Sequence, residues 1–232
     1  MNSNHIKVLA FDVFGTVVDW HGSVSREIET LIPGIGGDKF ALAWRAGYMP
    51  AMQAVMNNNE WIILDDLHRR ILNPVLEQFG IKHLDESQKQ VLNQVWHRLD
   101  PWPDSISGLT RLKQNFIICT LSNGNIGLLT DIAKRAGLPW DCILSAENFR
   151  RYKPDPATYL GVAEIFNCHP KEVMLVAAHH EDLRAAENLG LHTAYIERPL
   201  EFGKNHIKDV SAIDQNDWHA VDFNHLADQL GC

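Results

Sequence analysis

The sequence predicts an α/β fold, a doubly wound parallel sheet with a helical cap inserted after its first strand. Three observations carry that expectation. Apolar, mostly unalternated runs recur at 7–11, 116–121, 142–144, 173–178 and 192–196. Strands covered on both faces read this way, because neither face meets water. Helical patterns separate the later runs, as the crossovers of parallel strands require. The first run is the exception: its successor arrives only near residue 116, and the stretch 22–100 reads as helix throughout.

Taken in order, the first run delivers Asp12 to a strand end, with Gly15 and Thr16 close behind. The cap opens with Val24, Ile28, Leu31 and Ile32 on one apolar face, stopped by the glycine-rich run at 33–37. A second helix starts at Asp38 and carries Trp44 and Arg45, and Pro50 is expected to kink or break it. A third carries Leu64, Leu67, Ile71, Val75 and Phe79 before Gly80. The fourth carries Val91, Leu92, Val95, Trp96 and Leu99, with Asp85 and Gln88 spaced as a capping box. The run Asp100-Pro-Trp-Pro-Asp then reads as a hinge. This divides the chain into a core, 1–21 and 101–232, and a cap, 22–100. In the core, 125–136 is helical and stopped by Gly137, and 155–167 opens on an Asp155-Pro156 cap. A last helix runs from Asp182 to Leu189. There is no internal repeat.

A chain of 232 residues that is 45% hydrophobic buries a core without disulfides or structural metals. Its net charge of −8 argues against nucleic acid as a partner. Cys119, Cys142, Cys168 and Cys232 form no CxxC pair, and the first two read as buried free thiols. No apolar run approaches membrane-spanning length, and the first residues carry no signal-peptide pattern, so a cytoplasmic setting is expected.

Ligands of open α/β sheets bind beyond the carboxyl ends of the strands. Asp12 follows the first strand, Ser122-Asn123-Gly124 the second, Lys153-Pro154 the third, and His179, His180 and Asp182 the fourth. A carboxylate, a hydroxyl, an amide, an amine and a second carboxylate therefore converge on one rim. Each alone is weak evidence, and the ordered set is strong.

That set, Asp12…Ser122…Lys153…Asp182, resembles the haloacid dehalogenase superfamily, which uses an aspartate nucleophile. The runs FDVFGTVVD, AWRAGY, LSNG, RRYKPDPATY and RPLEFG are similar to its L-2-haloacid dehalogenase branch. Phosphatases of the superfamily carry a second Asp two residues after the nucleophile, which protonates a departing alkoxide. Here that place is Phe14. Halide is the anion of a comparatively strong acid and leaves without a proton. Those phosphatases also hold Mg²⁺ with an acid where this chain has Ala178, which cannot ligate a metal. No metal and no cofactor are expected.

The resemblance implies that Asp12 displaces halide from a small 2-haloacid, forming an ester that water hydrolyses to a 2-hydroxy acid. Lys153 is expected to keep Asp12 ionised, and Asp182 to hold Lys153 or the water. Thr16 and Ser122 would donate to the nucleophile or the substrate carboxylate. Arg45 would reach over the site from the cap toward halide or carboxylate. Read on its own it is an ordinary solvated arginine. Asn123 would cradle halide while also forming a turn, and Phe14, Val13 and Trp44 complete the expected substrate-binding set. Tyr159 either reaches the carboxylates or is a core aromatic. Trp20, Trp44 and Trp61 either wall the site or sit in the core. His179 stands where the best-known members carry Asn, and Ala177 where they carry Ser. His179 would donate a hydrogen bond, narrow the pocket, serve as a base, or simply be polar at a strand end. No third ligand stands at zinc spacing. Some dehalogenases with a similar AAH run accept fluoroacetate.

The resemblance also implies a homodimer. Three other functions use the same residues: opening of a strained ring such as azetidine-2-carboxylate, phosphoester or phosphonate hydrolysis, and binding without catalysis.

Overall fold

The computed structural model describes residues 5–213 and 216–232. Six parallel strands form one sheet in the order β5-β4-β1-β6-β7-β8. These are β1 (Val8–Phe11), β4 (Ile117–Ser122), β5 (Cys142–Ser145), β6 (Val173–Ala177), β7 (His192–Ile196) and β8 (Trp218–Ala220). β1 is central, and the chain winds outward from it in both directions. The sequence expectation lacked β8, which has only three residues and no run long enough to register.

Strand residues alternate between the two faces, so neighbouring side chains serve different cores. Leu9, Phe11, Ile118, Met174 and Val176 point to the face covered by α6 (Ser105–Leu112), α7 (Ile126–Ala136) and α11 (Phe223–Leu230). Val8, Ala10, Leu121, Val173 and Leu175 point to the face covered by α9 (Pro156–Ile165) and α10 (His180–Glu187). Cys119 is buried there, while its register partner Cys142 is only half-buried at the sheet's outer strand. All four cysteines are free thiols.

The helical insertion leaves and rejoins the core through a two-strand ribbon. β2 (Val18–Asp19) pairs antiparallel with β3 (Asp100–Pro101). The run expected to be a hinge is thus partly a strand. α1 (Trp20–Leu31) buries Val24 and Ile28, but Leu31, in its last turn, is exposed. α2 (Gly37–Ala46) and α3 (Tyr48–Asn57) break at Gly47, not at Pro50. A Cβ at position 47 would lie 2.4 Å from Ile71 Cγ2, so glycine permits the close approach. Pro50 sits in the first turn of α3, where its missing N–H costs nothing. α4 (Leu64–Gln78) packs on both. α5 (Glu86–Asn93) begins with the expected Asp85–Gln88 capping box and continues into a 3-10 turn over Gln94–Arg98. No helix of the described residues is long and apolar enough to cross a membrane.

α6 and α11 cross at Gly108, where a Cβ would lie 2.3 Å from Phe223 Cβ. Gly108→Ala should therefore cost about 1–3 kcal/mol through overpacking. Urea unfolding reads this as a lower midpoint, and an unchanged midpoint would mean that the two helices part easily.

Candidate active site

The loop after β1 is held open by its own backbone and by three side chains. Val17 and Val18 N–H donate to Val13 carbonyl, and Gly15 adopts φ +84°. Trp102 Nε1 donates to Gly15 carbonyl at 3.0 Å, Arg198 Nε to Thr16 carbonyl at 2.8 Å, and Ser105 Oγ to Val17 carbonyl at 2.7 Å. Asp12 N–H remains bonded to β6 through Val176 carbonyl. The Asp12 carboxylate therefore leaves the sheet on a fixed base, between the ends of β4 and β6 where the winding reverses.

Lys153 Nζ lies 3.0 Å from Asp12 Oδ1 and 2.5 Å from Asp182 Oδ2. Thr16 Oγ1 donates to Asp12 Oδ2 at 2.7 Å and accepts Ala178 N–H at 2.9 Å. Tyr159 hydroxyl donates to Asp182 Oδ1 at 2.6 Å, although its ring is buried in the core. Asn123 Oδ1 accepts Lys153 N–H at 2.7 Å, which anchors the lysine's backbone to the turn after β4. Ser122 Oγ accepts Gly124 N–H at 3.1 Å and keeps its own hydrogen for a further acceptor.

A cavity of about 310 Å³ opens above these groups. Asp12, Phe14, Ser122, Asn123, Lys153 and His179 line its floor, and Arg45, Tyr48 and Met49 descend from the helical insertion. The Arg45 guanidinium lies over the Tyr48 ring, 4.2 Å from its centroid. Among the described residues it meets no carboxylate, so the cavity presents an uncompensated positive charge. Phe14 packs edge-on against Trp96 and His68. Burial, foremost, holds His68 down to about 3, so that this backing is neutral.

Two expected binding residues do not reach the cavity. Trp44 is fully buried within the insertion, donating Nε1 to His68 carbonyl at 3.0 Å. The helical face it occupies turns toward Trp96, away from Arg45's direction. The Val13 side chain is buried in the core below the turn. Nor do the tryptophans wall the site. Trp20 stacks on Trp96, and Trp61 packs on Tyr152 at 4.9 Å, outside the cavity.

Glu201, Lys208, Tyr48 and Met49 were not anticipated as site residues. Glu201 lies inside the RPLEFG run but is fully buried. Its Oε1 accepts His179 Nε2 at 2.7 Å, and its Oε2 accepts Lys208 Nζ at 2.5 Å. His179 Nδ1 lies 3.1 Å from Asp12 Oδ2. The histidine is thus clamped between two carboxylates and is no idle strand-end residue.

Burial opposes every charge here, and pairing outweighs it. Asp12 is held far below the usual carboxylate range by Lys153's charge and by the bonds of His179 and Thr16. Lys153 is raised by Asp12 and Asp182. The charge of Glu201 and the bond to Asp12 hold His179 at about 9, and His179 and Lys208 in turn hold Glu201 at about 2. Burial and the Asp182 charge raise Tyr159, which stays a donor.

The haloacid dehalogenase-like hydrolase family pattern matches residues 6–190. The chain is 30% identical to the (S)-2-haloacid dehalogenase of Xanthobacter autotrophicus over 202 residues, covering 83% of this chain and 76% of that one. It is 27% identical to (S)-2-haloacid dehalogenase 4A of Burkholderia cepacia, covering 83% and 84%. Among solved structures, an L-2-haloacid dehalogenase superposes with a TM-score of 0.92 at 44% identity, covering 97% and 99%. A defluorinating L-2-haloacid dehalogenase superposes at 0.94 and 42%, covering 100% and 99%.

The His179 pairing has a definite pH signature. Its pKa is raised from 6.5 to about 9, so its stabilisation is complete below pH 6.5 and is lost as pH rises through about 9. The stability gap between wild type and His179→Asn should narrow over that interval by on the order of 3 kcal/mol. Denaturant titrations across pH check this, and a gap independent of pH would contradict the pairing.

Proposed function

Because the chain belongs to the haloacid dehalogenase-like hydrolases, we propose that it is a metal-independent hydrolytic dehalogenase that converts small 2-haloacids to 2-hydroxy acids. Haloacetates and L-2-halopropionates are the proposed substrates. Fluoroacetate is included because of the defluorinating relative and the compact cavity. The observation that carries the reading is an ionised Asp12 braced by Lys153, with Phe14 where a proton donor would otherwise stand.

In this reading an Asp12 oxygen attacks C2 of the haloacid, and halide departs with the bonding pair. The Asp12 ester that results is hydrolysed by water at its carbonyl carbon. Lys153 and Thr16 hold the nucleophile ionised and aimed. Arg45 meets the substrate carboxylate or the departing halide, and Asn123 and Ser122 donate from the floor. Phe14, Met49 and the Tyr48 ring keep the displacement dry, which strengthens these contacts.

The residues do not fit a divalent cation. Lys153 Nζ already bridges Asp12 and Asp182, Phe14 and Ala178 bring no side-chain oxygen, and the Ala178 carbonyl is taken by Lys208 Nζ. Phosphoester or phosphonate hydrolysis is disfavoured for the same reason, and the paired Asp12, Lys153 and Asp182 disfavour a binding-only role. Opening of a strained ring such as azetidine-2-carboxylate would use the same nucleophile, and halide release separates the two. The proposal extends to a cytoplasmic homodimer, which sedimentation would test.

Free halide should appear from chloroacetate, L-2-chloropropionate and fluoroacetate without added metal, and Asp12→Asn should abolish it. In isotope-labelled water under single turnover, labelled oxygen should enter Asp12. Label found only in the product would exclude the covalent route.

A further inference from the structure

The site contains a continuous line of alternating charge. Asp182, Lys153, Asp12, His179, Glu201 and Lys208 follow one another at 2.5, 3.0, 3.1, 2.7 and 2.5 Å. Three carboxylates meet three cations when His179 is protonated. Buried charges survive only when compensated in this way.

Alkylation of Asp12 removes one negative charge from the middle of that line. The remainder carries one excess positive charge, and the imidazolium has lost its anionic partner at Nδ1. Of the cations, His179 is the one that readily sheds a proton. Its Nε2 stays tied to Glu201, so the proton leaves from Nδ1, the nitrogen that faces the ester. Its side chain is 27% exposed and lines the cavity, so water reaches it. Asp182 is poorly placed to compete, since Lys153 and Tyr159 occupy both of its oxygens.

We propose that His179, oriented by Glu201, is the general base that activates water for hydrolysis of the Asp12 ester. The inference rests on the dehalogenase reading above. Halide departure leaves the ester and the imidazolium, and His179 then releases its Nδ1 proton to solvent. Water adds to the Asp12 carboxyl carbon as Nδ1 takes one of its protons. The tetrahedral adduct collapses, the bond to the alkyl oxygen breaks, and the remaining water proton passes to that oxygen. The hydroxy acid departs, Asp12 is again a carboxylate, and His179 is again protonated. One halide and one proton are released per turnover. His179 is a catalytic residue in this scheme, and Glu201 is a positioning residue that also sets its basicity.

The charged groups around His179 come from four segments. Asp12 ends β1, Lys153 precedes α9, Glu181 and Asp182 sit in the first turn of α10, and Glu201 and Lys208 follow β7. Once Asp12 is esterified, Glu201 is the carboxylate bonded to the imidazole. Decay of the ester should therefore rise with pH along a single-proton titration, and Glu201→Gln should move its midpoint toward acid and lower its plateau.

The experiment is rapid-quench reaction of chloroacetate with wild type, His179→Asn and Glu201→Gln, reading free halide and the intact mass of the protein. His179→Asn should release about one equivalent of halide, accumulate carboxymethylated Asp12, and turn over at least ~100-fold more slowly. The burst itself certifies a folded, alkylating site. Wild-type ester decay against pH needs no variant, and a flat profile overturns the inference. So does a variant that turns over at the wild-type rate, or a folded variant without a burst. Wild type that releases no halide ends the dehalogenase reading and this inference together. Wild-type turnover beside either contrary variant result ends this inference alone.

Discussion

The placement of Lys153 between Asp12 and Asp182 is the constraint on which the site depends. Two carboxylates converging on a buried rim repel one another and lose their water, a penalty of several kcal/mol for each ion left uncompensated. The ammonium removes both difficulties, and the chain invests heavily in its position. Asn123 grips the lysine's backbone from the end of β4, and Tyr159 fixes the far carboxylate from α9. Four separate segments of the core thus meet at one charge. Extending the line through His179, Glu201 and Lys208 ties the segment after β7 to the same network, so that the whole rim forms one electrostatic unit.

Apolar and charged surfaces divide the cavity between them. The core supplies the charges, and the helical insertion supplies Tyr48 and Met49 together with one cation, Arg45. Behind Phe14 the aromatic stack of Trp96, His68 and Trp44 is rigid and neutral. Under the proposed function, a wall of this kind suits a small anionic substrate, whose charge would meet Arg45 and whose carbon skeleton would meet apolar side chains. It also explains Trp44, which sequence reasoning placed in the site. That side chain shapes the wall from behind.

The sheet was legible because its strands are continuous apolar runs, and the rim because strand ends mark where ligands bind. Asp12, Ser122, Asn123, Lys153 and Asp182 could all be assigned to one place on that basis, whereas Thr16 and Tyr159 rested on the resemblance alone. Glu201 could not. It lies in an irregular segment after β7, and nothing local distinguishes a solvated glutamate from one buried against His179. Its only trace is the tight turn at Gly15, where a Cβ would stand 2.3 Å from Glu201 Oε1, a contact that requires the folded structure to see. Trp44 failed for the opposite reason. It neighbours Arg45 in sequence, but successive helical residues point about 100° apart, so a site residue's neighbour normally faces elsewhere. The break at Gly47 was missed because proline is the louder signal, although at the start of a helix proline is harmless.

The β2–β3 ribbon bears on how this architecture diversifies. The chain leaves the core at Asp19 and returns at Asp100, and these two residues are paired neighbours in the ribbon. To the core, the eighty residues between them amount to a hairpin loop whose ends are already closed. Loop closure depends only weakly on loop length, so helices there can be lengthened, replaced or lost with little strain on the sheet. Asp12 lies seven residues before the exit point and belongs entirely to the fixed part. The Arg45, Tyr48 and Met49 side of the cavity and the Asp12 side are therefore written on separable stretches of one chain, and natural variation can edit the first without rewriting the second.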